Sequence, residues 1–283
     1  MYPSAFNYYR AASVQEAIAL LGAHPDAKLL AGGHSLLPAM KLRLATPPVL
    51  VDLSRIAELH GIRREGDVVV IGAMTTHREI EHSTELAQAC PILPEAAALI
   101  GDPLVRNRGT IGGSLAHADP GADFPACVLA LDATLTIEGA SGSRTAEAAA
   151  FVEDMFATVV QPGEVLTEIR VPARKPGLGM AYEKFAHPAS RYAIAGVAAV
   201  VRTSKGVCEE ARVALTGATP KPTRLSQLEA ALVGQPLDDA TLEAACVNVV
   251  SPDDLLGDHT ASSPYRAHLA GVLAKRALRR ARS

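Results

Sequence analysis

Tryptophan is absent from the 283-residue chain, and aromatic residues together make up 4% of it. So few ring faces speak against recognition of nucleic acid by base stacking. Cysteine is sparse as well. Cys90, Cys127, Cys208 and Cys246 lie too far apart for a C-x-x-C pair, an iron–sulfur ligand run or a dense disulfide framework. Reduced thiols and a cytoplasmic location are the expectation. No apolar run reaches the roughly 18 residues of a membrane-spanning helix, and Met1 to Arg10 has neither the basic nor the apolar part of a secretory signal. An excess of one charge is missing too. Lys and Arg number 27 against 30 Asp and Glu, a net charge of −3, which excludes a generally nucleic-acid-binding or membrane-surface protein. The familiar nucleotide and hydrolase motifs are also absent: G-x-G-x-x-G after a strand, G-x-x-x-x-G-K-[ST], G-x-S-x-G and H-E-x-x-H.

What is present is an ordinary globular composition, 48% hydrophobic and 20% charged, at a length that suggests two domains. Ser13 to Glu16 has capping-box spacing ahead of Ala17, Ile18 and Leu21, which predicts a short helix. Lys28 to Ala31 reads as a buried strand entering Gly32-Gly33. A helical turn follows at Pro38 to Leu42, then a strand at Val49 to Asp52. Ile62 to Arg64 and Val68 to Ile71 flank Glu65-Gly66-Asp67 as a hairpin. Helices are expected at Thr76–Glu81, Leu93–Ile100 and Asp123–Leu131, and strands at Ala133–Ile137 and Val165–Val171. Val105 to Ile111 reads as a strand leading into Gly112-Gly113. Pro172 to Gly177 is the linker candidate. Beyond it come strands at Gly179–Phe185, Ile194–Arg202 and Val207–Thr216, with a tight turn at Lys205-Gly206. Helices follow near Thr223–Val233, Asp239–Val249 and Pro264–Ala281, the last with Ser263 as N-cap and Pro264 at the first helical position.

Two glycine pairs stand out, in Leu30–Pro38 and in Gly109–Leu115. Glycine lets a ligand approach the backbone closely, and successive main-chain N–H groups in such turns form anion-binding nests. Two nests together can hold the two phosphates of a dinucleotide. For either pair alone, a simple chain turn is the commoner explanation.

The stretches Ala31–Pro38 (AGGHSLLP), Met40–Leu44 (MKLRL), Arg106–Asp123 (RNRGTIGGSLAHADPGAD) and Tyr182–Gly196 (YEKFAHPASRYAIAG) resemble the FAD-binding medium subunit of molybdenum hydroxylases. That family includes aerobic carbon monoxide dehydrogenase and xanthine dehydrogenase. The resemblance runs from about Phe6 to the C-terminal helices, and the AGGHS form is most similar to the carbon monoxide dehydrogenase branch. It implies an α+β fold: a two-part FAD-binding domain of the PCMH / vanillyl-alcohol-oxidase type at 1–174, with subdomains of about 1–55 and 56–174. A C-terminal antiparallel sheet with helices is implied at 178–283. It implies FAD in this chain, with molybdopterin and two [2Fe–2S] clusters on a large and a small partner subunit. The assembly would be a dimer of heterotrimers, with NAD, a quinone or oxygen as acceptor.

The family's pyrophosphate segments match Leu30, Ala31, Gly32, Gly33, His34, Ser35, Leu36 and Leu37, and Thr110, Ile111, Gly112, Gly113 and Ser114. Ser114 stands where Asn is common. Asp123 matches the acidic residue at the adenosine part. Leu166 and Lys184 match further FAD-contacting positions, Ile100 an apolar one, and Tyr192 the aromatic beside the isoalloxazine. No residue of this chain is assigned a catalytic role.

Each position has a plainer alternative. Asp123 is also a natural N-cap for Phe124-Pro125. His34 is either a proton shuttle or an exposed turn histidine. His117 and Asp119 lack the third ligand of a metal site. Lys184 would be a solvated edge charge on an isolated strand, and Tyr192 part of a core. Lys275, Arg276, Arg279, Arg280 and Arg282 form either a solvated helix end or a docking patch. The rival functions are a self-sufficient FAD oxidase of the same fold and a binding module with plain glycine turns. Valine at Gly33 or Gly112 is expected to abolish FAD binding with less effect on folding. Lys184, Arg191 and Tyr192 are the expected docking face beside the flavin.

Overall fold

Short apolar runs punctuated by glycine and proline build three main sheets. The computed structural model describes residues 2–282; Met1 and Ser283, the outer ends of the two expected domains, lie outside the described residues. The first unit comprises β1 (Asn7–Arg10), α1 (Val14–Ala23), β2 (Lys28–Leu30), α2 (Leu36–Lys41) and β3 (Val49–Asp52). Its strands form a parallel sheet of order β1–β3–β2. Ser13 caps α1 by accepting the Glu16 N–H, and the Glu16 carboxylate reaches back to the Ala12 N–H. Val14, Ala17 and Leu21 then pack on Val49 and Val51. As an edge strand, β2 is less buried than expected: Lys28 is exposed and its two leucines are half-buried. The exposed tetrapeptide NYYR of β1 has no apolar alternation to announce a strand.

The second unit opens with the expected hairpin, β4 (Ile62–Glu65) and β5 (Val68–Gly72), turning at Gly66 with φ +62°. Six short helices follow: α3 (His77–Glu81), α4 (Thr84–Ala89), α5 (Ile92–Leu99), α6 (Pro103–Arg106), α7 (Ile111–His117) and α8 (Phe124–Ala130). Then come β6 (Thr134–Gly139), β7 (Gly142–Glu147), α9 (Ala148–Phe151), the small pair β8 (Val152–Asp154) and β9 (Ala157–Thr158), and β10 (Val165–Pro172). The resulting antiparallel sheet has the order β4–β5–β10–β6–β7. The strand expected at Val105–Ile111 is not formed. Asp102 caps α6 with Pro103 in its first turn, and Thr110 caps α7 by accepting the Gly113 N–H. Two helix starts therefore replace the expected strand, leaving a single bridge between Thr76 and Thr110.

The C-terminal unit is the sheet β11 (Leu178–Ala186), β12 (Ala193–Ser204), β13 (Val207–Thr216) and β14 (Thr223–Arg224), followed by α10 (Ser226–Leu232), α11 (Asp239–Ala245) and α12 (Ser263–Ala281). Lys205 and Gly206, both at positive φ, make the two-residue turn between β12 and β13. Thr223 and Arg224 pair with β13 as strand rather than opening a helix, and α11 stops at Ala245. Ser262, not Ser263, caps α12 by accepting the Tyr265 N–H.

The run AIAGVAAVV of β12 is buried on both faces, which explains its lack of alternation. Val197, Ala199 and Val201 meet Leu269, Ala270 and Leu273 of α12 in one core. Ala198, Val200 and Tyr182 join the core of the second unit. α12 lies so close to β11 that a Cβ on Gly179 would stand 1.6 Å from the Ala281 carbonyl oxygen. Gly179→Ala is therefore expected to lower stability by about 1–3 kcal/mol, as overpacking does, read as a lower urea midpoint.

Candidate functional site

The two glycine segments meet backbone to backbone. A Cβ on Gly32 would lie 2.0 Å from the Arg108 carbonyl oxygen, and one on Gly113 would face the Ala31 side chain. Gly33 runs at φ +78°, a left-handed conformation that favours glycine. The segments differ sharply in what their amides do. Among the described residues, the N–H groups of Gly32, Gly33, His34 and Ser35 donate to no protein acceptor. In the second segment four of the five donors are used: Ile111 N–H on Thr75 O, Gly112 N–H on Ala73 O, Gly113 N–H on Thr110 Oγ1 and Ser114 N–H on Thr110 O, while the N–H of buried Thr110 has no protein acceptor among the described residues. The second segment therefore offers one free amide, at Thr110, rather than a run of them, because helix formation and the Ala73–Thr75 backbone take up the other four.

The expected consequence for Gly112 changes with it. A Cβ there would stand 2.6 Å from Ala73 O, so Gly112→Val disturbs the fold itself. The unspent amides of half-buried Gly32, Gly33 and Ser35 and of exposed His34 are left to water or a ligand, and a run of such donors suits the oxygens of a phosphate-bearing group.

Tyr192 closes the Gly32–Ser35 loop from the C-terminal sheet. Burial together with the Asp119 carboxylate raises the pKa of its hydroxyl, with the nearby Ser35 side chain acting against them. The ring lies on Gly121, where a Cβ would come 3.0 Å from Cδ1. Tyr192 remains 43% exposed, so it forms a wall of the site rather than core.

Behind that wall sits Asp123, which is buried. It occupies the N-cap position of α8 without a side-chain capping bond. Its carboxylate instead accepts from the Tyr182 hydroxyl at 2.5 Å and from Lys184 Nζ at 2.8 Å. Lys184 Nζ also donates to Leu99 O, and its side chain is only 1% exposed. The solvated edge charge is thus replaced by a buried ion pair, and Lys184 is removed from the expected docking face. Burial raises the Asp123 carboxyl, with the Lys184 ammonium acting against it. Tyr182 was not singled out from the sequence, although its position two residues before Lys184 puts both on one face of β11. Ile100 is half-buried beside the core of the second unit, and Ile111 and Leu166 lie within it. Leu36 and Leu37 open α2, half-buried.

His77 is a second residue that the motifs missed, although its capping box Thr76-x-x-Glu79 is legible. Its N–H donates to Gly109 O, and a Cβ on Gly109 would meet its ring 2.6 Å away. Burial, with His34 and Arg106 nearby, pushes the His77 pKa down to about 4. Arg106 is held by Glu81 at 2.7 Å and by Ile100 O, so a fixed cation and the exposed His34 lie close to the glycine segments. The His117 ring packs at a tilt against Phe156, and Asp119 accepts the Gly121 N–H. The basic cluster of α12 is largely tied to its own chain: Lys275 to Glu243, Arg279 to Asp239, Arg280 to Glu95 and Glu183, and Arg282 to Asp239.

The folded state keeps His77 neutral down to about pH 4, whereas the unfolded chain takes up the proton near 6.5. The stability from this group is present above 6.5 and is lost as pH falls towards 4, by about 2–3 kcal/mol. Urea unfolding at pH 7 and pH 4.5 should show that loss, and His77→Leu should reduce it.

Residues 4–174 match the family model described as the FAD binding domain in molybdopterin dehydrogenase, and residues 180–281 match the CO dehydrogenase flavoprotein C-terminal domain. The chain is 45% identical to the carbon monoxide dehydrogenase medium chain of Hydrogenophaga pseudoflava, over 98% of this chain and 97% of that one. It is 37% identical to subunit alpha of the 6-hydroxypseudooxynicotine dehydrogenase complex of Paenarthrobacter nicotinovorans, over 99% and 96%. A solved carbon monoxide dehydrogenase structure from Hydrogenophaga pseudoflava superposes with a TM-score of 0.95 at 46% identity, over 99% of this chain and 98% of that one. Two family models in the same order as the structural units, and relatives aligned end to end, lead to one conclusion: the chain belongs to the family of FAD-binding medium subunits of molybdenum hydroxylases, together with the carbon monoxide dehydrogenase flavoproteins.

Proposed function

We propose that the Gly32–Ser35 loop is the seat of the FAD pyrophosphate in an electron-transfer subunit, with Thr110–Ser114 as its packed support. The observation that carries this reading is the row of four amides with no protein acceptor. FAD, when bound, supplies the capacity to pass electrons onward. Leu30, Ala31, Leu36 and Leu37 shape the loop. Tyr192 borders the ring end of the site. Asp123 and Lys184, with Ile100 next to the Leu99 carbonyl that Lys184 bonds, line the adenosine end, where each carboxylate oxygen retains a second acceptor site, and Leu166 is assigned to the site as well.

The partners in this reading are a large molybdopterin subunit and a small subunit with two [2Fe–2S] clusters, in a dimer of heterotrimers. NAD, a quinone or oxygen is the final acceptor, and the complex is cytoplasmic. Among the described residues no helix is long and apolar enough to cross a membrane. The proposed units are 1–174, divided near 55, and 178–283. Phe185, Arg191 and Tyr192, all exposed, form the docking face once Lys184 is set aside. A self-sufficient oxidase is not favoured, since the curated relatives of this length are medium chains or subunits of complexes.

Acid precipitation of the purified protein should release FAD to the supernatant, because neither glycine segment contains the Cys or Tyr of a flavin tether, which leaves His34 as the one candidate for such a bond; colour kept in the pellet would overturn non-covalent binding. Gly33→Val should purify folded with little flavin, since the φ > 0 strain of about 1 kcal/mol or more falls on the loop. Full flavin content in that variant would count against the seat. The chain alone should oxidise no organic substrate while still passing electrons from NADH to an artificial dye. Substrate turnover without molybdenum and iron would restore the oxidase.

A further inference from the structure

α12 turns one charged side chain inward. Arg266 is only 5% exposed, and a guanidinium does not escape its charge by losing a proton. Its buried N–H groups therefore need acceptors. Nη1 donates to Ile194 O at 2.6 Å and to Gly217 O, Nη2 to the Asp258 carboxylate at 2.7 Å, and Nε to Ala261 O at 3.4 Å.

Two of these carbonyls border the aromatic wall of the site. Ala193, between Tyr192 and Ile194, donates its N–H to Gly121 O at 3.0 Å, and Gly217 donates to Pro120 O at 2.8 Å. The Thr216 hydroxyl lies 3.0 Å from Pro120 O and 2.7 Å from Ala122 O. Gly217 runs at φ +79°, and a Cβ on it would stand 2.5 Å from Ala193 O. The ends of β12 and β13 thus close on each other and grip the Pro120–Ala122 turn. On that turn, at Gly121, rests the Tyr192 ring.

We propose that Arg266 is a positioning residue: by gathering the carbonyls of Ile194 and Gly217 it fixes Tyr192 between Gly121 and Ser35 and so sets the aromatic wall of the cofactor site. The effect on the cofactor rests on the reading of Gly32–Ser35 as the FAD seat; the backbone frame does not. A guanidinium that only fastened α12 to the sheet would stabilise the protein without governing Tyr192.

The test uses the full chain with Arg266→Met, Arg266→Lys, Tyr192→Leu and the double variant Arg266→Met/Tyr192→Leu. Amide hydrogen exchange at Ala193 and Gly217 should accelerate on the order of tenfold in Arg266→Met, as expected on losing charge-assisted hydrogen bonds, while β6 and β10 stay protected. Arg266→Lys, with a cation but fewer donors, should fall between. Bound-flavin fluorescence, quenched by a neighbouring phenol ring, should rise in Arg266→Met and in Tyr192→Leu, with no further rise in the double variant. As a control, Arg224→Met removes a guanidinium that bridges Asp132 and Glu229; it should lower the unfolding midpoint and leave both signals unchanged. Unaltered exchange at Ala193 and Gly217, or fluorescence changes that simply add, would overturn the proposal. Should Arg266→Met fail to fold, the lysine variant decides by the same two measurements. A wild-type protein that takes up no flavin would refute the FAD seat, and exchange alone would then decide the role of Arg266.

Discussion

A carboxylate buried between two halves of a chain must be met by charge and by hydrogen bonds, or burial drives it to take up a proton and lose its charge. Asp123 is met by both: Lys184 supplies the cation and Tyr182 the hydroxyl. Asp123 begins α8, while both partners lie on β11, so the ion pair joins the helical layer of the second unit to the C-terminal sheet. Desolvation makes such a pair a poor source of net stability, yet removal of either member leaves an uncompensated charge. The pair thus serves alignment more than strength, holding β11 at one register against α8. Arg280 reinforces the same seam from outside, bonding Glu95 on α5, Glu183 on β11 and the Tyr182 carbonyl.

The glycine pairs show how identical letters take different physical jobs. Gly32 and Gly33 follow a strand and leave their amides unspent. Gly112 and Gly113 sit in the first turn of α7, where their amides are consumed and their missing side chains admit Ala73 and the Thr110 hydroxyl. One pair presents donors, and the other permits contact. The sequence pattern Gly-Gly is the same in both, so the distinction was not legible before the backbone around Ala73 and Thr75 was known. Their union was legible only through the family resemblance, since no local signal links Gly32 to Arg108.

Elsewhere legibility followed the source of each element's stability. The hairpin at Gly66, the turn at Lys205-Gly206 and the long strands β10 to β13 carry their own turn chemistry and apolar runs, and they were readable. β1 is exposed along its length and exists because β3 offers it a pairing edge, which leaves no trace in NYYR. The run Val105–Ile111 was misread because caps at Asp102 and Thr110 outweigh β propensity over so few residues. The burial of Lys184 could not be read from its own strand, because its partner lies 61 positions earlier in the chain.

The close contact between Gly179 and Ala281, together with the inward reach of Arg266, has a consequence for the order in which the molecule is made. The glycine loop and its support belong to the first third to half of the chain and can meet as soon as both have left the ribosome. With Arg266 in the positioning role proposed for it, the turn that carries Tyr192 takes its final shape only after α12 has been synthesised and laid across β11. On the proposed reading, assembly of the site has a sequence in time, with the phosphate seat formed early and the aromatic wall closed last.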